Sequence, residues 1–424
     1  MKVLIVNSSE ITGGAAVAAN RLKDALINNG IKAKMMVMNK STDDITVVPV
    51  GKRWLNRWHF LWERMTIFLH LHLSHDHLWE IDIANAGTDI TTTREFKEAD
   101  VVHLHWINQG MMSLKDIRKI LLSGKPVVWT MHDLWAATAI CHYTRGCNAF
   151  TTQCRRCGLL PGGGSDNDLA SRTWRRKEAM LGCGNMVFVA CSRWLADQAR
   201  QSGLLKHHTI TDIPNTIDTR VFCRKDKAEA RRSLHLPENH RIVLFASQKV
   251  TDERKGMSYL VEAVEKLVAD HPQMKDNTTV AVLGSGGEDM AQRLALPVVA
   301  LGYMSTPKDI ATAYNAADVF VIPSLEDNLP NTVMEAMACG VPCLGFKVGG
   351  IPEMINHGKN GYVAQYKSTA DLAHGLHWLL CEADAAELSH NAVVKVQKCY
   401  SQHSVALRYT DVYSQAIALT HYHL

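Results

Sequence analysis

Short apolar runs rich in Val, Ile and Leu, each closed by turn residues, alternate with segments of helical period along the whole of this 424-residue chain. Runs of that kind are buried on both faces, and strands buried on both faces belong to parallel sheets with crossover helices. The alternation commits the chain to an α/β architecture. A first series places strands at Val3–Val6, Met35–Met38, Val101–Leu104, Val127–Met131, Met186–Val189 and Thr209–Ile213, with helices near 15–29, 113–123, 171–181 and 193–203. After a charge-dense stretch from Arg224 to His240, a second series places strands at Ile242–Ala246, Val280–Leu283, Val298–Leu301, Val319–Ile322 and Pro342–Phe346. Two doubly wound, Rossmann-like domains follow, at 1–223 and 224–401, with a C-terminal helix at about 402–424 returning to the first. One hydrophobic core seldom organises more than about 250–300 residues, so the length agrees. Each such sheet opens a crevice at the C-terminal ends of its strands, and the two crevices are expected to face each other across a cleft.

Composition removes several classes. With 46% hydrophobic and 21% charged residues the chain is globular rather than disordered or fibrous. A formal charge of +4 is too small over this length to call for nucleic acid. The opening run Met1 to Val6 leads straight into polar turn residues, unlike a secretion signal, so a cytoplasmic protein is expected. The most apolar stretch, Phe60 to Leu73, is broken by Glu63, Arg64 and two histidines and falls short of the roughly 20 apolar residues of a membrane span. In that setting the eleven cysteines are expected as thiols or metal ligands rather than disulfides.

The most informative segment runs from Pro323 to Pro342, a strand end, a polar loop containing Glu326, Asp327 and Asn328, a helix carrying Glu335, and a Gly-x-Pro return. A carboxylate on the first turns of such a helix can accept the two vicinal hydroxyls of a ribose, while the helix N-terminus offers free N–H groups to phosphate oxygens. By periodicity alone the segment is equally an ordinary amphipathic helix after a loop. Upstream, Arg254 and Lys255 sit at a helix start, where cations oppose the helix dipole and an anionic ligand would relieve the conflict.

The spacing of Asp327, seven intervening residues, then Glu335 followed by Ala-Met-Ala-x-Gly-x-Pro resembles family 4 of the retaining glycosyltransferases. The resemblance implies a GT-B fold and transfer of a sugar, with retention at the anomeric carbon and without a catalytic metal, from a nucleoside diphosphate sugar to a glycan or lipid-linked acceptor. It implies that Glu335 holds the donor ribose, that Asp327 (where the family usually has Glu) or the adjacent Glu326 faces the transferred sugar, and that Arg254 and Lys255 meet the diphosphate. Lys249 is a weaker second cation. Asn328, Leu329 and Asn331 complete the donor side, and Gly284 belongs to the loop around the base. In the first half, Gly13 and Gly14 form the loop beneath the reacting sugar and diphosphate, and His132 stands at a strand end at the reaction centre. His105 would lie towards the acceptor, sharing a strand face with His103. Both histidines are equally readable as packed core residues. A nucleotide-sugar epimerase of the same fold and a non-catalytic nucleotide-binding scaffold remain as rivals.

Two further features lie outside these landmarks. Cys141, Cys147, Cys154 and Cys157 fall within 17 residues, the last two as Cys-x-x-Cys, which suits either a structural zinc site or a loop of reduced thiols. A similar Cys-rich insertion occurs in transferases resembling those of colanic-acid and other exopolysaccharide pathways, so capsule, lipopolysaccharide or exopolysaccharide synthesis is implied. The second feature is a helix from Lys52 onward that puts Trp54, Trp58, Leu61, Met65 and Phe68 on one stripe beside Arg53, Arg57 and Arg64. The commoner use of such a stripe is packing on its own domain. The other is peripheral attachment to an anionic membrane surface, on its inner face for a cytoplasmic enzyme.

Overall fold

The computed structural model describes residues 1–288 and 293–421. The chain forms two compact units, one of Met1–Thr216 with the chain from Val405 onward, the other of Ile217–Ser404.

The first unit is built on a seven-stranded sheet in the order β3-β2-β1-β4-β5-β6-β7. Its strands are β1 (Lys2–Ser9), β2 (Lys32–Asn39), β3 (Val47–Pro49), β4 (Val101–Leu104), β5 (Val127–Met131), β6 (Val187–Ala190) and β7 (Thr209–Asp212), all paired in parallel. Burial on both faces follows from the period of two: Leu4 and Val6 enter one core cluster, Val3 and Ile5 the other. The second of these clusters is closed by the helix Gln402–His421, whose Val405, Tyr409, Val412, Tyr413 and Ala416 pack with Val3, Ile5 and Met35.

The second unit carries a six-stranded parallel sheet in the order β10-β9-β8-β11-β12-β13. Its strands are β8 (Arg241–Lys249), β9 (Thr278–Ser285), β10 (Val298–Gly302), β11 (Val319–Ile322), β12 (Cys343–Phe346) and β13 (Gly361–Ala364). Strands β3 and β13 escape the sequence reading for one physical reason. Each is an edge strand of three or four residues with a single neighbour, so neither needs a long apolar run.

The helix Arg53–His70 reverses the usual arrangement. Its inward face carries Asn56, Glu63, Arg64 and Ile67, all buried. Its outward face carries Trp54 and Trp58, 67% and 58% exposed, with Leu61, Trp62, Met65 and Leu69 also exposed. The packing role expected of the aromatic stripe is therefore corrected: of the five residues read as one stripe, only Phe68 packs against the core. What holds the helix down is a set of polar anchors. Glu63 accepts from the backbone N–H groups of Ile83, Ala84 and Gly110 at 2.7–2.9 Å. Arg64 donates to the Leu78 carbonyl at 2.7 Å and pairs with buried Asp82, and Asn56 donates to the Val50 carbonyl at 2.8 Å. Buried groups of this kind are costly unless satisfied, and these bond the backbone of the loops beneath them. Burial, with the Asp82 charge beside it, raises the Glu63 carboxyl to about 7.

Candidate functional site

In the C-terminal unit the predicted donor residues gather at the strand ends of β8 and β11. The turn Glu253–Lys255 follows β8 and hands over to the helix Met257–Asp270 at Gly256, whose φ is +71°. A Cβ there would lie 1.9 Å from the carbonyl oxygen of Pro323, so only glycine lets this turn press against the end of β11. The contact is locked by Leu325 N–H donating to the Arg254 carbonyl at 2.8 Å. As a result Lys255 Nζ donates to Asp327 Oδ2 at 2.6 Å, and Arg254 Nη1 donates to the Glu326 carbonyl at 2.9 Å while standing 3.7 Å from Asp327 Oδ2. Burial pushes the Asp327 carboxyl up, but the Lys255 and Arg254 charges outweigh it and leave it below the ordinary carboxylate value. Behind this loop, Gly349 holds φ +57°, and a Cβ on it would sit 1.8 Å from the Asp327 carbonyl oxygen. The Gly349-Gly350 turn thus backs directly onto Asp327.

Asn328 and Leu329 are buried in the same loop, and Asn331 opens the helix Asn331–Ala338. On that helix Glu335 is buried and accepts from the Tyr314 hydroxyl at 3.1 Å. Tyr314, which sequence reasoning missed, is wholly buried, and burial together with the Glu335 charge pushes its hydroxyl well above the ordinary phenol value. Gly284 lies at the end of β9 with φ +136°, while Lys249, at the end of β8, is exposed.

In the N-terminal unit, β4 and β5 carry a chain of histidines. His103 is bonded through Nδ1 to the Tyr413 hydroxyl at 2.8 Å and through Nε2 to Thr130 Oγ1 at 2.7 Å. His105 Nδ1 meets His132 Nε2 at 2.9 Å, and His132 Nδ1 lies 3.5 Å from Cys191 Sγ. Burial lowers His103 to about 3 and His132 to about 4, the latter against the pull of Asp133, and drives His105 well below its ordinary value. His132 is consequently a neutral imidazole at physiological pH, a partner in hydrogen bonds rather than a cation. Gly13, with φ +92°, caps the helix Gly14–Asn28 that follows β1.

A second constellation stands beside it, and its members Asp82, Asp133 and His142 were given no role from sequence. His142 is buried between two carboxylates, its Nδ1 2.7 Å from Asp133 Oδ2 and its Nε2 2.6 Å from Asp82 Oδ2. Burial opposes a charge on the ring, but Asp133 and Asp82 prevail and hold its pKa at about 10. Asp133 also accepts from Trp106 Nε1 at 3.1 Å. Since Asp82 pairs with Arg64, a continuous buried line of charge runs from the helix Arg53–His70 to the residue next to His132.

Cys141, Cys147, Cys154 and Cys157 are free thiols, and among the described residues no three or more His, Cys, Asp or Glu side chains are grouped so that they could hold a metal ion. Burial raises Cys141 and takes Cys154 to about 12 and Cys157 to about 11, above the ordinary thiol value. The nearby Lys177 is brought by burial to about 7; it donates to the Trp135 and Thr138 carbonyls and lies 3.2 Å over the Trp135 ring. A pocket of about 560 Å³ lined by Val3, Ile27, Ile31 and Ala33 opens at the opposite, N-terminal ends of β1 and β2 and contains none of these groups. No helix among the described residues is long and apolar enough to cross a membrane.

Two family profiles match the chain, Glycosyltransferase Family 4 over residues 12–221 and Glycosyl transferases group 1 over residues 240–382. An uncharacterized glycosyltransferase of Methanocaldococcus jannaschii is 25% identical over 80% of this chain and 90% of its own length. The D-inositol 3-phosphate glycosyltransferase of Thermobispora bispora is 28% identical over 50% of this chain, a match spanning about half, 52%, of that relative's length. Among solved structures, HepE of Anabaena in complex with UDP is similar over 98% of this chain and all of its own, with a TM-score of 0.64 at 17% identity, a likeness of fold. Resembling family 4 over the first unit and group 1 over the second, and built on two parallel sheets of seven and six strands, the chain is a GT-B glycosyltransferase.

Proposed function

We propose that this enzyme moves a hexosyl group from a nucleoside diphosphate sugar to a glycan or lipid-linked acceptor with retention of anomeric configuration, in the assembly of a capsule, lipopolysaccharide or exopolysaccharide. The observation that carries the reading is the meeting of Arg254, Lys255 and Asp327 at one set of strand ends, beside the helix that bears Glu335. In this reading Glu335 takes the ribose hydroxyls, with one carboxylate oxygen held by the Tyr314 hydroxyl. Lys255, Arg254 and the N–H groups opening the helix Asn331–Ala338 stabilise charge on the departing diphosphate as the bond from the anomeric carbon to the phosphate oxygen breaks. The acceptor oxygen forms the new bond to that carbon and passes its proton to the departing diphosphate oxygen, which keeps the electron pair of the broken bond. No catalytic metal enters this scheme, because the protein's own cations and dipoles occupy that role. Asp327 faces the transferred sugar, Gly284 the base, and His132, Gly13 and Gly14 serve the reacting sugar from the N-terminal unit, with His105 towards the acceptor. Solved HepE structures with UDP and with UDP-glucose make uridine donors the first to try.

Calorimetry with UDP and with UDP-glucose, followed by product analysis with and without added acceptors, tests the reading. Binding of the diphosphate that is lost in Glu335→Ala, with sugar appearing on an acceptor, supports it. Interconversion of the donor without any acceptor would make the enzyme an epimerase instead.

A further inference from the structure

The outward face of the helix Arg53–His70 is apolar in a way that packing within the chain does not explain. Trp54, Trp58, Leu61, Trp62, Met65 and Leu69 follow one another at steps of four, three, one, three and four residues, which puts all six within one 100°-wide stripe. Every one of them is exposed, and the stripe is about 22 Å long at 1.5 Å per residue. Trp58 and Trp62 stack on each other at 6.3 Å, and Trp79, itself exposed, stacks on Phe60 at 6.2 Å. Contiguous apolar area of this extent marks a surface that is covered in use.

The charges on the helix identify the cover. Its one acidic residue, Glu63, points inward, as does Arg64. The charges left outside at its N-terminal end are all positive: Lys52 at the cap, then Arg53 and Arg57. A second copy of this chain packed on the stripe would bury those cations without an acidic partner from the helix. An anionic bilayer supplies both requirements at once, headgroup charge for the basic residues and an interfacial layer in which tryptophan rings are at home. We propose that the helix Arg53–His70 is a membrane-docking element that lies flat in the interface of an anionic bilayer, held on the protein side by Asn56, Glu63 and Arg64.

The inference needs no donor or acceptor, so it stands or falls apart from the transferase reading. The full chain is floated with vesicles of phosphatidylcholine alone or of phosphatidylcholine with phosphatidylglycerol, at low and high salt. Co-flotation with the anionic vesicles, at least tenfold weaker with neutral ones or at high salt, is the expected result. Trp58→Glu/Trp62→Glu should reduce it at least tenfold, and Arg53→Glu/Arg57→Glu should abolish the anionic preference. Because these side chains are exposed, both variants should keep the wild-type melting temperature; Met65→Lys is a milder substitution on the same stripe that should also weaken flotation. Protein that floats with neither vesicle, or variants that bind as well as wild type, would overturn the proposal. So would a dimer in sedimentation that Met65→Lys splits, because the stripe would then be covered by a second copy.

Discussion

Lys255 and Asp327, 72 residues apart in the chain, stand 2.6 Å apart in space. The ammonium that the transferase reading gives to the donor diphosphate is thus already paired with the carboxylate it gives to the sugar. Lys255→Ala should weaken UDP binding about tenfold to a hundredfold, the equivalent of one charge-assisted bond of roughly 1.5–3 kcal/mol. It should also lower stability, since Asp327 is left buried without its main counter-charge. Lys255→Ala/Asp327→Asn should recover the stability and not the affinity. Calorimetry and thermal melts on the two variants separate the outcomes, and unchanged affinity in both would place the diphosphate elsewhere.

Gly349→Ala is predicted to damage the same site from behind. The added Cβ has no room beside the Asp327 carbonyl oxygen at 1.8 Å, and the left-handed φ of +57° penalises any side chain. A loss of about 2 kcal/mol or more is expected in denaturant unfolding of the second unit, with weaker UDP binding because the Asp327 loop must shift. Gly358→Ala, at φ +74° with no atom near its Cβ, supplies the control: the backbone penalty without the collision.

His142→Asn removes the cation between Asp82 and Asp133, and breaking a buried charge network of this kind costs on the order of 3–5 kcal/mol. The pH dependence has a definite sign. The folded pKa, about 10, lies above the unfolded value of 6.5, so the stability due to His142 is fully present below about pH 6.5 and fades as pH rises through 10. The difference in unfolding free energy between wild type and variant should be flat on the acid side and shrink in alkali. A difference that grew with pH would show the ring to be neutral.

Thiol reactivity tests the cysteine loop. Exposed Cys147 and Cys381 should be alkylated first, whereas Cys154 and Cys157, raised to about 12 and 11, should react only on unfolding. Mass spectrometry after brief iodoacetamide treatment reads this directly. Metal analysis belongs beside it: one zinc per chain with Cys147 protected would mean that the four thiolates close on an ion.

The two sheets were legible because their central strands are buried on both faces and must be written in Val, Ile and Leu. β3 and β13 were not, since an edge strand of a few residues carries no such obligation. The donor loop could be read because its residues are close in sequence, Glu326 to Glu335, and because Lys255 and Arg254 stand at a helix start. Tyr314, by contrast, reaches Glu335 from the helix that precedes β11, 21 residues away in sequence, and nothing local signals it. His142 hid for a similar reason: its partners lie 60 and 9 residues away, and a Cys-His dipeptide in a Cys-rich stretch looks like part of a metal motif. The helix Arg53–His70 misled in orientation. Its amphipathic pattern was plain, but which face turns inward was decided by backbone groups of Ile83, Ala84 and Gly110 that seek Glu63.

The helix Gln402–His421 begins in the second unit and ends on the first sheet, where Tyr413 bonds His103 and Tyr409 bonds Thr130. In synthesis the ribosome therefore delivers the whole of the second unit before the first can be finished. Until Tyr409 and Tyr413 arrive, His103 and Thr130 lack their tyrosine partners and Val3, Ile5 and Met35 lack their cover, so one face of the first sheet waits uncovered. The unit begun first is completed last, which makes the final helix a checkpoint: a chain broken off at Ser404 holds the whole of the second unit and an unfinished first.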